Sequence, residues 1–419
     1  MTPSFAQAMR VWWKIGLLSF GGPAAQIALM HREVVEQRGW LTEQQYLNAL
    51  SFCMLLPGPE AMQLATYAGW RLHGVRGGLA AGLAFVLPGA AVVLALSMIY
   101  AAFGNVPFVA ALFLGVKAAV LVIVIEALLR IAKRALKGRE AWAIAVLAFI
   151  GIFFLALPFP LIVLAAGIYG FFRAKEALSE PPPAIATTAR ATLGTIGIWL
   201  AVWLVPLAAL AAALGKGHLL ATLGWFFSKL AVVTFGGAYA VLAYMGQDVV
   251  TRYGWLEAGQ MMDGLGLAET TPGPLILVTE FVGYTAAHNA GGVALGVAGV
   301  MVALWATFAP CFLWIFAAAP YVEWINAQPR LRAALSAITA AVVGVIANLA
   351  LWFALHVFFA EVSRVEAGPL TLWMPEVATL DWRVVAIAVL SGWLLLWRHW
   401  SVVAVLAVAA GLALAMTAL

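Results

Sequence analysis

Apolar residues along this chain come in long unbroken runs, separated by short polar turns, with no sustained two-residue alternation. The runs lie near 10–30, 48–70, 78–102, 107–129, 141–156, 159–172, 192–213, 223–245, 262–285, 291–318, 333–359, 383–397 and 401–418. Backbone amides in lipid must be satisfied within the segment or in a closed barrel, and the alternating barrel signature is missing. The pattern therefore predicts an all-α polytopic membrane protein with about thirteen transmembrane segments, an estimate that follows from span length. Two pairs of runs, around Pro158/Pro160 and Arg398/His399, are short, and read either as tilted short helices or as re-entrant hairpins. Residues 31–46 read as an interfacial helix with Trp40 at headgroup level, and 360–382 as an acidic outer loop.

Composition sharpens the class. Of 419 residues, 65% are hydrophobic and 10% charged, and the mean hydropathy is +1.00, more than a soluble core needs. The formal charge of +5 comes from basic residues in short loops, which orients a membrane protein and does not call for nucleic acid. With the N terminus cytoplasmic, Arg10, Arg71, Arg76, Arg130, Lys133, Arg134, Lys137, Arg139, Arg173, Lys175, Arg190, Arg252, Arg330, Arg332 and Arg398 fall inside. Only Arg32, Arg38, Lys216, Arg364 and Arg383 fall outside, and the C terminus is then external. Residues 1–22 show no cleavage site and read as a first span. Cys53 and Cys311 offer neither a disulfide framework nor a metal quartet, and the six histidines have no ligand spacing. No metal, cofactor or catalytic cluster is expected, and no phosphate-binding loop for a primary pump.

Several runs are interrupted in their interior. "MLLPGPEAMQ" (54–63) and "TTPGPLILVT" (270–279) place Pro-Gly-Pro inside apolar sequence, at Pro57-Gly58-Pro59 and Pro272-Gly273-Pro274. The 215-residue offset recurs: "KIGLLSFGG" (14–22) matches "KLAVVTFGG" (229–237), Glu33 matches Asp248, and Gly39-Trp40 matches Gly254-Trp255. One residue short of that offset, Gly78/Gly82 matches Gly292/Gly296. This is a duplication. The expected organisation is a repeat over 1–178, a linker and connecting helix over 179–218 including the Pro-rich "SEPPPAIATTAR", and a second repeat over 219–419. Six spans per repeat and one connecting span make the repeats antiparallel, an arrangement of secondary transporters with a site near mid-membrane.

The motifs "SFGGPAAQI", "RGWL", "LLPGPEAMQLATYAGW", "TFGGAYAVL" and "AETTPGPLILVTEFVGY" resemble the chromate ion transporter family in its long two-domain form, over essentially the whole chain. The resemblance implies an inner-membrane carrier exporting chromate, with the isosteric sulfate as a second candidate. This sequence departs from symmetry within the motifs: Ala238 stands opposite Pro23, and Leu275 opposite Glu60.

A tetrahedral oxyanion needs donors and positive potential away from bulk water. Helices restarted at Pro or Gly expose first-turn N–H groups and the positive end of the helix dipole. The expected substrate site is therefore Ser19, Phe20, Gly21 and Gly22, Pro57 to Pro59, Thr234, Phe235, Gly236 and Gly237, and Thr270, Thr271 and Pro272 to Pro274. The alternative is that these residues only kink spans or allow close packing. Lys117 at mid-span, and the matched Lys14 and Lys229, are candidate cations for the anion. The alternatives are a lysine neutralised by a carboxylate, or lysines snorkelling to headgroups. Glu60, Glu269 and Glu280 oppose a simple anion cradle; they read as proton-coupling groups or as caps and internal ion pairs. An anion channel, or a proton-coupled carrier of another oxyanion, is the competing function.

Overall fold

Proline and glycine decide where these helices stop, and lipid-length apolar sequence decides where they run. In the computed structural model, which describes residues 3–20, 22–104, 106–174, 187–235 and 238–418, the first elements are α1 (Phe5–Leu18), α2 (Gly22–His31), α3 (Glu43–Cys53) and α4 (Glu60–Phe103). They are followed by α5 (Pro107–Ala135), α6 (Arg139–Phe153), α7 (Phe159–Arg173), α8 (Ala189–Leu214), α9 (Leu219–Val233), α10 (Ala238–Gln247) and α11 (Ala258–Thr270). The remainder is α12 (Val278–Ala318), α13 (Val322–Asn326), α14 (Pro329–Phe358), the strands β1 (Val362–Ala367) and β2 (Leu370–Pro375), α15 (Trp382–Gly392) and α16 (Val402–Ala418). Among the described residues, Glu60–Phe103, Pro107–Ala135, Ala189–Leu214, Leu275–Ile325 and Pro329–Phe358 are long and apolar enough to cross a membrane. Shorter apolar helices accompany them.

The chain forms two compact units, and each draws on both halves of the sequence. The first comprises Met1–Met98, Ala174–Ala238 and Thr271–Arg332; the second comprises Ile99–Arg173, Tyr239–Thr270 and Ala333–Leu419. This division by contact is a different one from the sequence repeats expected over 1–178 and 219–419. Most of the linker, 175–186, lies outside the described residues.

In the first unit α12 packs along α8 and α9. Trp203 donates its indole N–H to Ser228 Oγ (3.1 Å), tying α8 to α9. Both long helices contain a sharp reversal. In α4 it falls at His73 and Gly74 (φ +62°, ψ −154°), and in α12 at Gly291 and Gly292 (φ +78°, ψ −168°), conformations open to glycine. The arms close tightly: Gly69 lies against Gly77 in one, and Gly283 against Gly299 and Ala303 in the other. The reversals are 218 residues apart, whereas the sequence match sets Gly78 against Gly292. Identity of glycines does not reveal which of them takes positive φ.

The run 10–30 also differs from a single straight span. Lys14 on α1 bonds Glu33, beyond α2, at 2.7 Å, and Trp12 meets Trp40 with ring centroids 6.4 Å apart. Two straight helices in line could not bring these residues together at 1.5 Å rise per residue, so the chain turns back sharply after Ser19. Residues 31–46 likewise form no single helix. The tail Arg32–Glu36 is π-helical, Gly39 turns the chain at φ +58°, and α3 starts with Thr42 as its N-cap.

In the second unit α5 is central, with α11, α15 and α16 packed on it. The segment expected as an acidic loop contains an antiparallel hairpin, β1 paired with β2 in register Val362 to Pro375 and Ala367 to Leu370. The β-branched Val362 and Val365 on β1, Thr371 on β2 and the turn at Gly368 (φ +62°) favour it. Thr371 N–H, donating to Phe154 O at 2.7 Å, anchors the hairpin.

Candidate functional site

The breaks lie together in the first unit and are bonded in crossed pairs. Gly58 N–H donates to Thr234 O at 2.9 Å, and Gly273 N–H donates to Ser19 O at 2.9 Å. Each Pro-Gly-Pro break of one half is therefore joined to the Phe-Gly-Gly break of the other half. Gly58 (φ +116°), Gly273 (φ +93°) and Gly22 (φ +78°) all adopt the left-handed region, so glycine is required for the backbone path itself. Pro57 to Pro59 and Pro272 to Pro274 are buried.

Local geometry repeats at the sequence offset. Ser19 Oγ donates to Ile15 O and Thr234 Oγ1 to Leu230 O. Phe20 N–H donates to Leu18 O, as Phe235 N–H does to Val233 O. Gly21, Gly236 and Gly237, also expected in the site, lie outside the described residues.

This bonding limits what the expected donors can do. The N–H groups of Gly58 and Gly273 are committed to carbonyls. The hydroxyls of Ser19 and Thr234 point their protons back along their own helices. Thr270, in the second unit, does the same toward Leu267 O at 2.9 Å. The positive ends of restarted helices are also at the breaks. Pro59 O accepts from Gln63 N–H at 3.0 Å to open α4, and Pro23 sits in the first turn of α2. In α12 a short 3-10 turn, Leu275–Leu277, follows Pro274. Phe20 is exposed, Phe235 half-buried and Thr271 buried.

Two buried amides clamp the breaks. Gln26 donates Nε2–H to Gly273 O at 2.6 Å and to Ser19 O at 3.3 Å. Gln63 donates Nε2–H to Pro57 O at 2.7 Å. Cys311 lies at the same place, since a Cβ on Gly58 would stand 2.9 Å from Gln63 Nε2 and 3.0 Å from Cys311 Sγ. Gly89 on α4 faces the other break, and a Cβ there would overlap Pro272 O. Sequence reasoning built on the duplication passes over Gln26, Gln63, Gly89 and Cys311. The positions 215 residues beyond the two glutamines are Val241 and Val278. The available signal was an amide inside a membrane-length apolar run.

The candidate cations are placed differently from one another. Lys14 gives its charge to Glu33, which also takes Arg38 at 2.7 Å. Lys229 is on an exposed face of α9. Lys117, in the second unit, stands 3.4 Å from Asp263, whose other bond comes from Tyr100 O–H at 2.8 Å. Its charge is met by a carboxylate, which was the alternative reading of a mid-span lysine.

The acidic candidates divide as well. Glu60 is half-buried in the first turn of α4. Glu269 is buried in the second unit and accepts from Tyr239 O–H at 2.7 Å. Glu280, fully buried in the first turn of α12, has no hydrogen-bond partner on either carboxyl oxygen among the described residues. The described residues hold no cluster of metal-ligating side chains.

Long apolar helices, interrupted helices and buried Pro-Gly-Pro breaks joined across the two halves define a multi-pass helical membrane protein of the transporter class. The chain belongs to the chromate transporter family, whose model matches residues 6–171 and again 221–415. It is 34% identical over 415 residues to a chromate transport protein of Pseudomonas aeruginosa, covering 93% of this chain and 92% of that protein. Identity to a chromate transport protein of Cupriavidus metallidurans is 32% over 346 residues, 82% of this chain and 81% of the relative. A probable chromate transport protein of Synechococcus elongatus is 31% identical, with 82% and 83% covered. No solved structure matches the chain.

Proposed function

We propose that this protein is a secondary carrier that moves chromate out of the cytoplasm across the bacterial inner membrane, through a mid-membrane site between inverted repeats. Family membership supports the substrate. The observation that carries the mechanism is the crossed bonding of the breaks, Gly58 to Thr234 and Gly273 to Ser19. Two equivalent closures, one from each repeat, are what alternating access needs: one opens toward one side while the other stays shut. The distribution of loop cations favours a cytoplasmic N terminus and an external C terminus. Each negative charge leaving a negative interior is favoured by about 2.3 kcal/mol per 100 mV, so export needs no coupled ion.

A proton-coupled variant of the carrier has one specific support, the Glu280 carboxyl, which has no hydrogen-bond partner among the described residues. A buried carboxylate with no partner is costly, and carrying a proton relieves that cost.

The test is purified protein in liposomes with labelled chromate, and labelled sulfate in parallel. Saturable chromate uptake driven by an inside-positive potential, without unitary currents in planar bilayers, is the expected result. No flux of either anion at any imposed potential would refute the carrier reading. Unitary currents would make the protein a channel. Glu280→Gln separates the proton-coupled variant, because only there does an imposed pH gradient lose its effect on the rate.

A further inference from the structure

The 215-residue match pairs α1 with α9, and the two helices are covered differently. Along α9, α8 lies against Gly224, where an added Cβ would stand 3.0 Å from Leu207, and against Ser228, which accepts from Trp203 at 3.1 Å. Leu220, Ala221, Gly224 and Ser228 are all buried. Their matches on α1 are Phe5, Ala6, Met9 and Trp13, and no helix among the described residues covers these: three are exposed and Met9 is half-buried. They line an open groove of about 730 Å³ that continues past Arg10 and Lys14 to Leu18. That is within the roughly 300–1,000 Å³ typical of small-molecule sites.

The groove carries charge toward one end. Lys14 is paired with Glu33, whereas Arg10 has no ion pair among the described residues. A second cation comes from α4. His73 Nε2–H donates to Pro3 O at 2.9 Å, and an added Cβ on Gly16 would overlap Ala84 O, so α1 and this arm of α4 run side by side in the same direction. Arg10 lies six residues before Gly16 and Arg76 eight before Ala84, which at 1.5 Å per residue sets them about 3 Å apart along the helix axes. Both arginines are exposed.

The 14 residues of α1 span about 21 Å, close to one leaflet: half of a hydrocarbon core of about 30 Å, plus its headgroup layer. A phospholipid has the matching form, with an anionic phosphate at one end and an apolar chain below it. Guanidinium groups bind phosphate oxygens in paired charge-assisted bonds. We infer that the α1 groove holds an anionic phospholipid, its phosphate at Arg10 and Arg76 and an acyl chain along Met9, Trp13 and Leu17. Charge argues against a second copy in the same place. A two-fold contact uses the same patch on both copies, so it would bring these arginines toward their own counterparts. The chain end of the lipid reaches Leu18, beside Ser19, whose carbonyl accepts from Gly273 N–H. A seated lipid thus braces one of the crossed bonds. The inference is independent of which anion the protein carries.

The test titrates the purified full chain in detergent with phosphatidylglycerol, with phosphatidylcholine of the same acyl chains, and with glycerol phosphate, which has the charge and no tail. Phosphatidylglycerol should raise the thermal unfolding midpoint saturably, and the other two should not at the same concentration. Arg10→Gln should weaken the phosphatidylglycerol affinity about fivefold, and adding Arg76→Gln about fivefold more. Arg190→Gln, at the exposed start of α8, should leave it unchanged. Equal stabilisation by phosphatidylcholine, stabilisation by glycerol phosphate, or unchanged affinity in the Arg10→Gln/Arg76→Gln variant would overturn the inference. A benzophenone label on Leu18→Cys then locates the lipid in liposomes mixed from phosphatidylglycerol and phosphatidylcholine. Photo-crosslinked phosphatidylglycerol should exceed its bulk share severalfold there, while the same label on Val205→Cys, on an exposed face of α8, should report the bulk share. A bulk ratio at both positions, or a crosslink from Leu18→Cys to a second copy, would overturn the inference. If the arginine variants do not fold, the crosslink ratio on the otherwise unaltered chain still decides.

Discussion

At Gly89 a single hydrogen atom in place of a methyl group lets α4 touch the Pro272 carbonyl. A methyl there must push the Pro-Gly-Pro break away, and forcing extra volume into a close-packed site costs about 1–3 kcal/mol. Gly89→Ala should lower the thermal unfolding midpoint in detergent and reduce chromate uptake severalfold, while membrane insertion is retained. Gly194→Ala is the matched control, since a methyl at Gly194 meets nothing within 4 Å. Equal behaviour of the two variants would show that the contact has no role in transport. Lys117 obeys a different logic. Its ammonium is the cation beside the buried Asp263 carboxylate, so Lys117→Met leaves a charge without its counter-ion. Removing one partner of a buried pair costs about 3–5 kcal/mol, and removing both costs far less. Lys117→Met should therefore destabilise strongly, and Lys117→Met/Asp263→Asn should recover most of the loss in a double-mutant cycle read by unfolding. Full additivity would mean the pair is screened.

Among the elements, the junction from α2 to α3 is held by His31, which bonds Glu43 at 2.7 Å and Glu36 at 3.1 Å. The Glu43 bond raises its pKa above the usual histidine value, burial works against this, and Glu36 adds to the rise. A raised folded-state pKa means the contribution is complete below the unfolded value and is lost as pH climbs through the folded one. Backbone amide exchange over 31–43 should accelerate as pH rises through that window beyond the intrinsic rate, and His31→Gln should remove the excess. A flat excess rate in the unaltered chain would contradict this role. Reading elements from sequence worked where chain chemistry is local. Pro57-Gly58-Pro59 and Pro272-Gly273-Pro274 stop helices wherever they occur, whereas the turn at Gly39, matched at Gly254, breaks the helix expected over 31–46. It failed where a choice depends on partners far along the chain. The reversals at Gly74 and Gly292 require positive φ that Gly78 does not take. The Gln26 clamp reaches a carbonyl 247 residues away. The β-hairpin escapes a sequence reading because its mostly exposed strands have no two-residue alternation and look like loop composition.

For the molecule as a whole, the charge carried per cycle is the quantity that joins the breaks to the membrane. Export driven by the membrane potential alone, as proposed, makes that charge readable from the accumulation ratio. A monoanion moving alone gains about 2.3 kcal/mol per 100 mV, and a dianion about twice that. At 1.4 kcal/mol per factor of ten, liposomes held at an inside-positive 100 mV with equal pH on both sides should accumulate chromate about 50-fold if one charge moves. Two charges would give a ratio of more than about 10³. The measurement is the plateau ratio of labelled chromate against potentials set by graded potassium gradients with an ionophore. Its slope should correspond to uncompensated negative charge, and it should be unchanged in Glu280→Gln if no proton accompanies the anion. A one-charge slope would assign the monoanion as the species moved, and a two-charge slope the dianion. A plateau indifferent to potential would replace uniport with an electroneutral exchange or proton-coupled cycle, and the buried Glu280 carboxyl would then be the first residue to examine.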